Sequence, residues 1–81
     1  MKMFERKFKD GDMIIVNNNT ISRRYSHLLY TKGLSGKILG YSSYDKEYKI
    51  LLSETVDGAN IIWKTSKNLT HIKSVGVVEL L

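Results

Sequence analysis

The densest group of chemically capable side chains in this sequence is Arg23-Arg24-Tyr25 with His27, followed closely by Tyr30 and Lys32. Guanidinium groups pair bidentately with phosphate or carboxylate, and tyrosine rings offer stacking faces to bases and packing faces to proteins. The segment reads in two ways, as a contact loop for an anionic partner or as a solvated loop whose Tyr and Leu residues lid the core. A second set, Lys37, Tyr41, Lys49, Lys64 and Lys67, falls on predicted strands two to four and the turn that follows. Outward positions on adjacent strands would gather these into one basic, aromatic-bearing face if register allows. Otherwise they are exposed lysines guarding strand edges against pairing.

Nothing in the chain has the spacing of a catalytic group. His27 and His71 are the two histidines, and Asp10, Asp12, Asp45 and Asp57 all fall in predicted turns. No pair shows nucleophile–base or metal-ligand spacing, so turn formation explains the aspartates better than chemistry does. The expectation is a protein that is not an enzyme and uses no cofactor or metal. The absence of cysteine removes disulfides and thiolate metal sites. Trp63 shares a strand face with Ile61 and precedes Leu69, which predicts a core or half-core position rather than a ligand platform.

The elements that must position these residues are short strands. With 81 residues, 42% hydrophobic and 26% charged, the chain fits one folded domain over residues 1–81 with one modest core. Thirteen Lys and Arg against eight Asp and Glu give a net charge of +5, which suits polyanions or acidic protein surfaces and also simple solubility. The longest apolar run, Met13 to Val16, is far short of the roughly 18 residues of a membrane helix, and the N-terminus lacks a signal-peptide apolar region. A cytoplasmic location is the default expectation.

Asp10-Gly11 is turn chemistry leading into a buried strand at Met13–Val16. Asn17 to Thr20 is a second turn, and Ile21 to Lys32 reads as a long excursion. Ile21, Tyr25, Leu28 and Leu29 lie at helical spacing behind Ser22, which leaves room for one helical turn. Gly33 to Gly36 marks a tight turn before a strand at Lys37–Tyr41, where Gly40 permits a bend or close backbone approach. Ser42 to Lys46 is a hairpin connection. Beyond it Tyr48, Ile50 and Leu52 share one strand face while Lys49, Leu51 and Ser53 share the other. Asp57-Gly58 signals a hairpin into a strand at Asn60–Lys64. Thr65 to Thr70 suits a single 3₁₀ turn anchored by Leu69, and a last strand over Ile72–Leu81 would close the sheet. Five short strands with little helical periodicity predict an all-β fold, most economically a five-stranded barrel.

The order of these features resembles the SH3-like barrel: a Gly-Asp turn opening strand one, a long loop, Gly33-x-x-Gly36-x-Ile38, a hairpin, and Trp63 followed by Leu69. More narrowly, Val16-Asn17-Asn18-Asn19, Arg24-Tyr25, His27, Gly33, Gly36-Lys37-Ile38, Tyr48 and Leu69-Thr70 are similar to YorP-type small prophage proteins. That likeness implies a phage-type accessory protein working in the host cytoplasm. The glycine pair also resembles the KOW element of ribosomal and transcription-elongation proteins, which implies nucleic-acid or ribonucleoprotein contact, although twelve residues separate Thr20 from Gly33 here. The expected function is a monomeric binding module that contacts nucleic acid or ribonucleoprotein. The alternatives are an adaptor or inhibitor capping an acidic host protein through Tyr25, Tyr30, Tyr41 and Tyr44, and a structural subunit that adds its Ile72–Leu81 edge to a neighbour.

Overall fold

The computed structural model describes residues 6–24 and 26–72. Its strands are β1 (Met13–Val16), β2 (Thr20–Ile21), β3 (Leu28–Leu29), β4 (Ser35–Ser42), β5 (Glu47–Val56), β6 (Ala59–Lys64) and β7 (Leu69–His71), with a 3₁₀ turn at Ser66–Asn68 before β7. Five of them form one antiparallel sheet in the order β6-β5-β4-β1-β7, and β2 and β3 pair as a separate small hairpin. The fold is all-β, as the alternating pattern predicts. Among the described residues β6 and β7 are the two edges and do not pair with each other, so the sheet is not closed as expected. The strand anticipated over Ile72–Leu81 falls, beyond Ile72, outside the described residues. The strand that does pair with β1 begins earlier, at Leu69.

Alternation builds the core. Ile14 and Val16 from β1, Ile38 from β4, Tyr48, Ile50 and Leu52 from β5, Ile62 from β6 and Leu69 from β7 are all buried on one face. Phe8 plugs this face from ahead of β1, edge-on to Tyr48 with ring centroids 5.3 Å apart. The Tyr48 hydroxyl accepts the backbone N–H groups of Lys7 at 2.8 Å and Phe8 at 3.2 Å, which fixes the plug. At Asp57-Gly58 both residues have positive φ, 49° and 80°, the backbone that a two-residue hairpin turn requires.

The excursion after β1 forms the β2–β3 hairpin, with one i→i+4 turn at its tip, where the Ser26 N–H donates to the Ser22 carbonyl at 2.8 Å. Its apolar member Leu29 joins the core, and its base is closed by threonines. The Thr31 hydroxyl donates to the Asn18 carbonyl at 2.9 Å and so accepts from Thr20 Oγ1, 2.7 Å away, both side chains being buried. Buried hydroxyls satisfied in this way cost little, whereas a lone one would cost about 1–3 kcal/mol. Alternation through Leu29 and Thr31 turns Tyr30 and Lys32 outward.

Two register shifts decide which side chains face out. One lies between Ile38 and Gly40 in β4, where Leu39 is an extra residue against β5. It puts Ile38 and Tyr41 on the same side, opposite Ile50 and Tyr48. The other lies between Leu51 and Val56 in β5. Carrying the Val56–Ala59 pairing straight back would set Trp63 opposite Leu52 in the core, but Trp63 sits opposite Lys49, three residues away. An odd shift exchanges the two faces.

Candidate functional site

The β2–β3 hairpin and edge strand β6 bound a groove of about 400 Å³. Ile61 and Trp63, on the outer face of β6, line it together with Ile21, Arg23, Arg24 and His27 from the hairpin. The Arg23 guanidinium lies 5.5 Å from the centre of the Trp63 ring and also forms an ion pair with Glu47 at the start of β5. His27 Nε2 stands 3.8 Å from Asp57 Oδ2, so the hairpin tip lies against the β5–β6 turn. Lys49 is the register partner of Trp63 and therefore shares its outer face. One strand further, Lys37 lies in a row with Leu51 and Ile61.

Of the residues singled out in the sequence, Arg23, Arg24, Lys37 and Lys49 are brought to this side of the molecule, all exposed. Tyr25 lies outside the described residues. Tyr30, 71% exposed, and Lys32 are on the return of the hairpin and do not line the groove. Lys67 is exposed on the 3₁₀ turn, away from the groove.

Three expectations are corrected. Tyr41 is not outward: it is half-buried against the core, its ring 4.6 Å from that of Tyr48, because the extra residue Leu39 reverses its side. Lys64 is not on a basic face but buried at 8% exposure, its ammonium donating to the Asn19 carbonyl at 3.1 Å. Desolvation there lowers the Lys64 pKa below the ordinary lysine value. Ile61 and Trp63 do share a face, but it is the outer one. Ile61 is exposed and Ile62 occupies the core, while Trp63 is half-buried, as the half-core alternative had it, but from the outer side. Sequence reasoning had no signal for the pairing of Glu47 with Arg23. The outward Trp63 follows only from a register that side-chain alternation does not reveal.

Among the described residues no three His, Asp or Glu side chains converge as a metal would require. No helix there is long and apolar enough to cross a membrane. The groove instead offers an aromatic face, two guanidinium groups and an apolar wall. Such a surface can stack a planar group and neutralise an anion without bond chemistry. Compared with known proteins, the chain matches no family, no curated protein and no solved structure.

Proposed function

We propose that the chain is an SH3-like barrel acting as a non-enzymatic binding module, with the hairpin–β6 groove as its contact surface for nucleic acid, free or within ribonucleoprotein. Strand order supports the barrel: β1 lies between β4 and β7, the long excursion follows β1, and a 3₁₀ turn precedes β7. The observation that carries the functional reading is Trp63, turned out of the core beneath Arg23, with Arg24 on the groove wall and Lys49 opposite on the sheet. Stacking a base on such a ring is worth about 1–3 kcal/mol, and the flanking cations reach adjacent phosphates. The likeness to YorP-type prophage proteins supports an accessory role in a phage-infected cytoplasm.

Trp63 is the one tryptophan in the sequence, so its fluorescence reports on this groove alone. Single-stranded oligonucleotide is expected to quench it. If Arg23, Arg24, Lys37 and Lys49 contact about four phosphates, affinity falls about 50-fold between about 50 and 200 mM salt. Binding no tighter than about 10⁻⁴ M at the lower salt rejects the nucleic-acid reading. A second reading has its own observation: Ile21, Leu28 and Ile61, at 61%, 40% and 37% exposure, form an apolar margin that suits a protein partner. That partner would bind with a much weaker salt dependence.

A further inference from the structure

Away from the groove, a recess of about 320 Å³ opens where the chain ahead of β1, the β4–β5 turn and the 3₁₀ turn meet. Each of the three segments contributes a lysine to its lining: Lys7, Lys46 and Lys67. Tyr41 and Tyr48, their rings tilted 49° to each other, line it together with Thr65 and Ser66. A volume of this size lies at the lower end of small-ligand sites.

The frame around the lysines is fixed. The Lys7 backbone N–H is held by the Tyr48 hydroxyl at 2.8 Å. Lys46 occupies the left-handed region at φ 59°, with its N–H bonded to the Ser42 carbonyl at 2.7 Å. A residue other than glycine is uncommon in that region. The segment bearing Lys67 is closed by Asn68, whose side-chain amide donates to Thr65 Oγ1 at 2.9 Å. Since that oxygen accepts from Asn68, the Thr65 proton remains to be donated. Ser66 makes no side-chain hydrogen bond among the described residues.

What separates this recess from the groove is its charge. The groove has Asp57 in its lining and Glu47 engaging its principal arginine. No carboxylate lines the recess among the described residues, and none of its three lysines forms an ion pair there. Of the nearby acids, Asp10 pairs with Arg6, Asp12 accepts from the Lys9 N–H, and Asp45 accepts from the Ser42 hydroxyl. The Arg6 guanidinium, paired with Asp10, lies 5.4 Å from the Tyr41 ring and 5.6 Å from that of Tyr48. The Lys7 ammonium lies 5.7 Å from the centre of the Phe8 ring, and three lysines with Thr65 and Ser66 in one lining suit an oxyanion carrying more than one charge.

We propose that this recess is a binding site for a phosphate monoester or free phosphate dianion, distinct from the groove and independent of whether the groove binds nucleic acid. Lys46 and Lys67 hold the phosphate oxygens from two sides, Lys7 closes the third, and Ser66 donates from the wall. A monoester dianion is favoured over the singly charged diester of a strand interior, because the site has three unneutralised cations to satisfy.

The test is titration of the full chain with inorganic phosphate at constant ionic strength, followed by amide shifts in heteronuclear NMR. Saturable shifts are expected at Lys7, Lys46, Ser66 and Lys67 and not at the Trp63 indole. Lys46→Gln and Lys67→Gln are each expected to weaken binding about ten-fold, the loss of one charge-assisted contact. Both side chains are exposed, and an unchanged melting temperature shows that the variants remain folded. Two further arms identify the source of the phosphate. If it is a strand end, a 5′-phosphorylated oligonucleotide binds more tightly than its 5′-hydroxyl counterpart, and Lys67→Gln removes the difference. If it is a small molecule, a nucleoside monophosphate saturates the same amides and the two oligonucleotides do not differ. Shifts that are non-saturating, spread over all lysines, or unaltered in both variants overturn the proposal.

Discussion

Lys64 shows what a single buried charge does to this small protein. The residue is buried and its ammonium, partly shielded from water, has one carbonyl partner, Asn19, so burial favours the neutral amine. The folded chain therefore releases this proton at a pH where the unfolded chain still holds it. Between the lowered folded value and the ordinary 10.5 the unfolded state binds more protons, and stability rises with pH. Below the folded value both states are charged and the burial penalty applies in full. Urea midpoints taken from neutral pH to about 10 are expected to climb in the native protein and to climb less in Lys64→Met. Equal slopes would show that the ammonium is solvated. Trp63 is the counterpart, a large apolar side chain left half-exposed on the outer face with a guanidinium as its cover. Both residues reverse the rule that apolar side chains go in and charged ones out, and they are neighbours on one strand.

At the scale of the element, β4 and β5 set the faces of the whole sheet. Gly36 has no room for a side chain between them: an added Cβ would stand 2.6 Å from Ile50 Cγ2 and 2.9 Å from the Leu51 carbonyl oxygen. The isoleucine methyl can move, but the strand backbone cannot without breaking its ladder. Gly36→Ala is expected to destabilise the fold by about 1–3 kcal/mol, read from urea denaturation. Gly40 has open space around the same added atom, so its place beside the extra residue Leu39 reflects the bend rather than crowding. The strands at Met13–Val16 and Tyr48–Leu52, the turns at Asp57-Gly58 and Ser42 to Lys46, and the 3₁₀ turn before Leu69 were all legible from residue type. Local chemistry alone sets each of them. The β2–β3 hairpin was not, because two residues per strand give no period to read, and its closure depends on the Thr20–Thr31 contact across the excursion.

At the scale of the molecule, seven basic side chains of the described residues fall into two groups. Arg23, Arg24, Lys37 and Lys49 belong to the groove side, and Lys7, Lys46 and Lys67 to the recess. At physiological salt the Debye length is about 8 Å, and beyond that distance a charge acts only weakly on a ligand. With a 5′-hydroxyl oligonucleotide, Arg24→Glu is expected to weaken binding about ten-fold at about 150 mM salt, and Lys46→Glu less than two-fold. Equal losses would mean that the ligand senses only net charge and that the groove has no special part in binding.

Residue types and their alternation determined by themselves an all-β chain, the positions of its main strands and turns, and a basic excursion after the first strand. Hydrophobic pattern and turn chemistry act over a few residues and need no tertiary information. Which face each side chain occupies was decided by the tertiary structure. The isoleucine pair at 61 and 62 leaves the parity of β6 open, since either member could face the core. The shift between Leu51 and Val56 in β5 settles it, sending Ile62 and Lys64 inward and Trp63 out. The extra residue Leu39 in β4 likewise brings Tyr41 in. A strand has a side-chain period of two, so one irregular residue, invisible in composition, exchanges core for surface along everything that follows it.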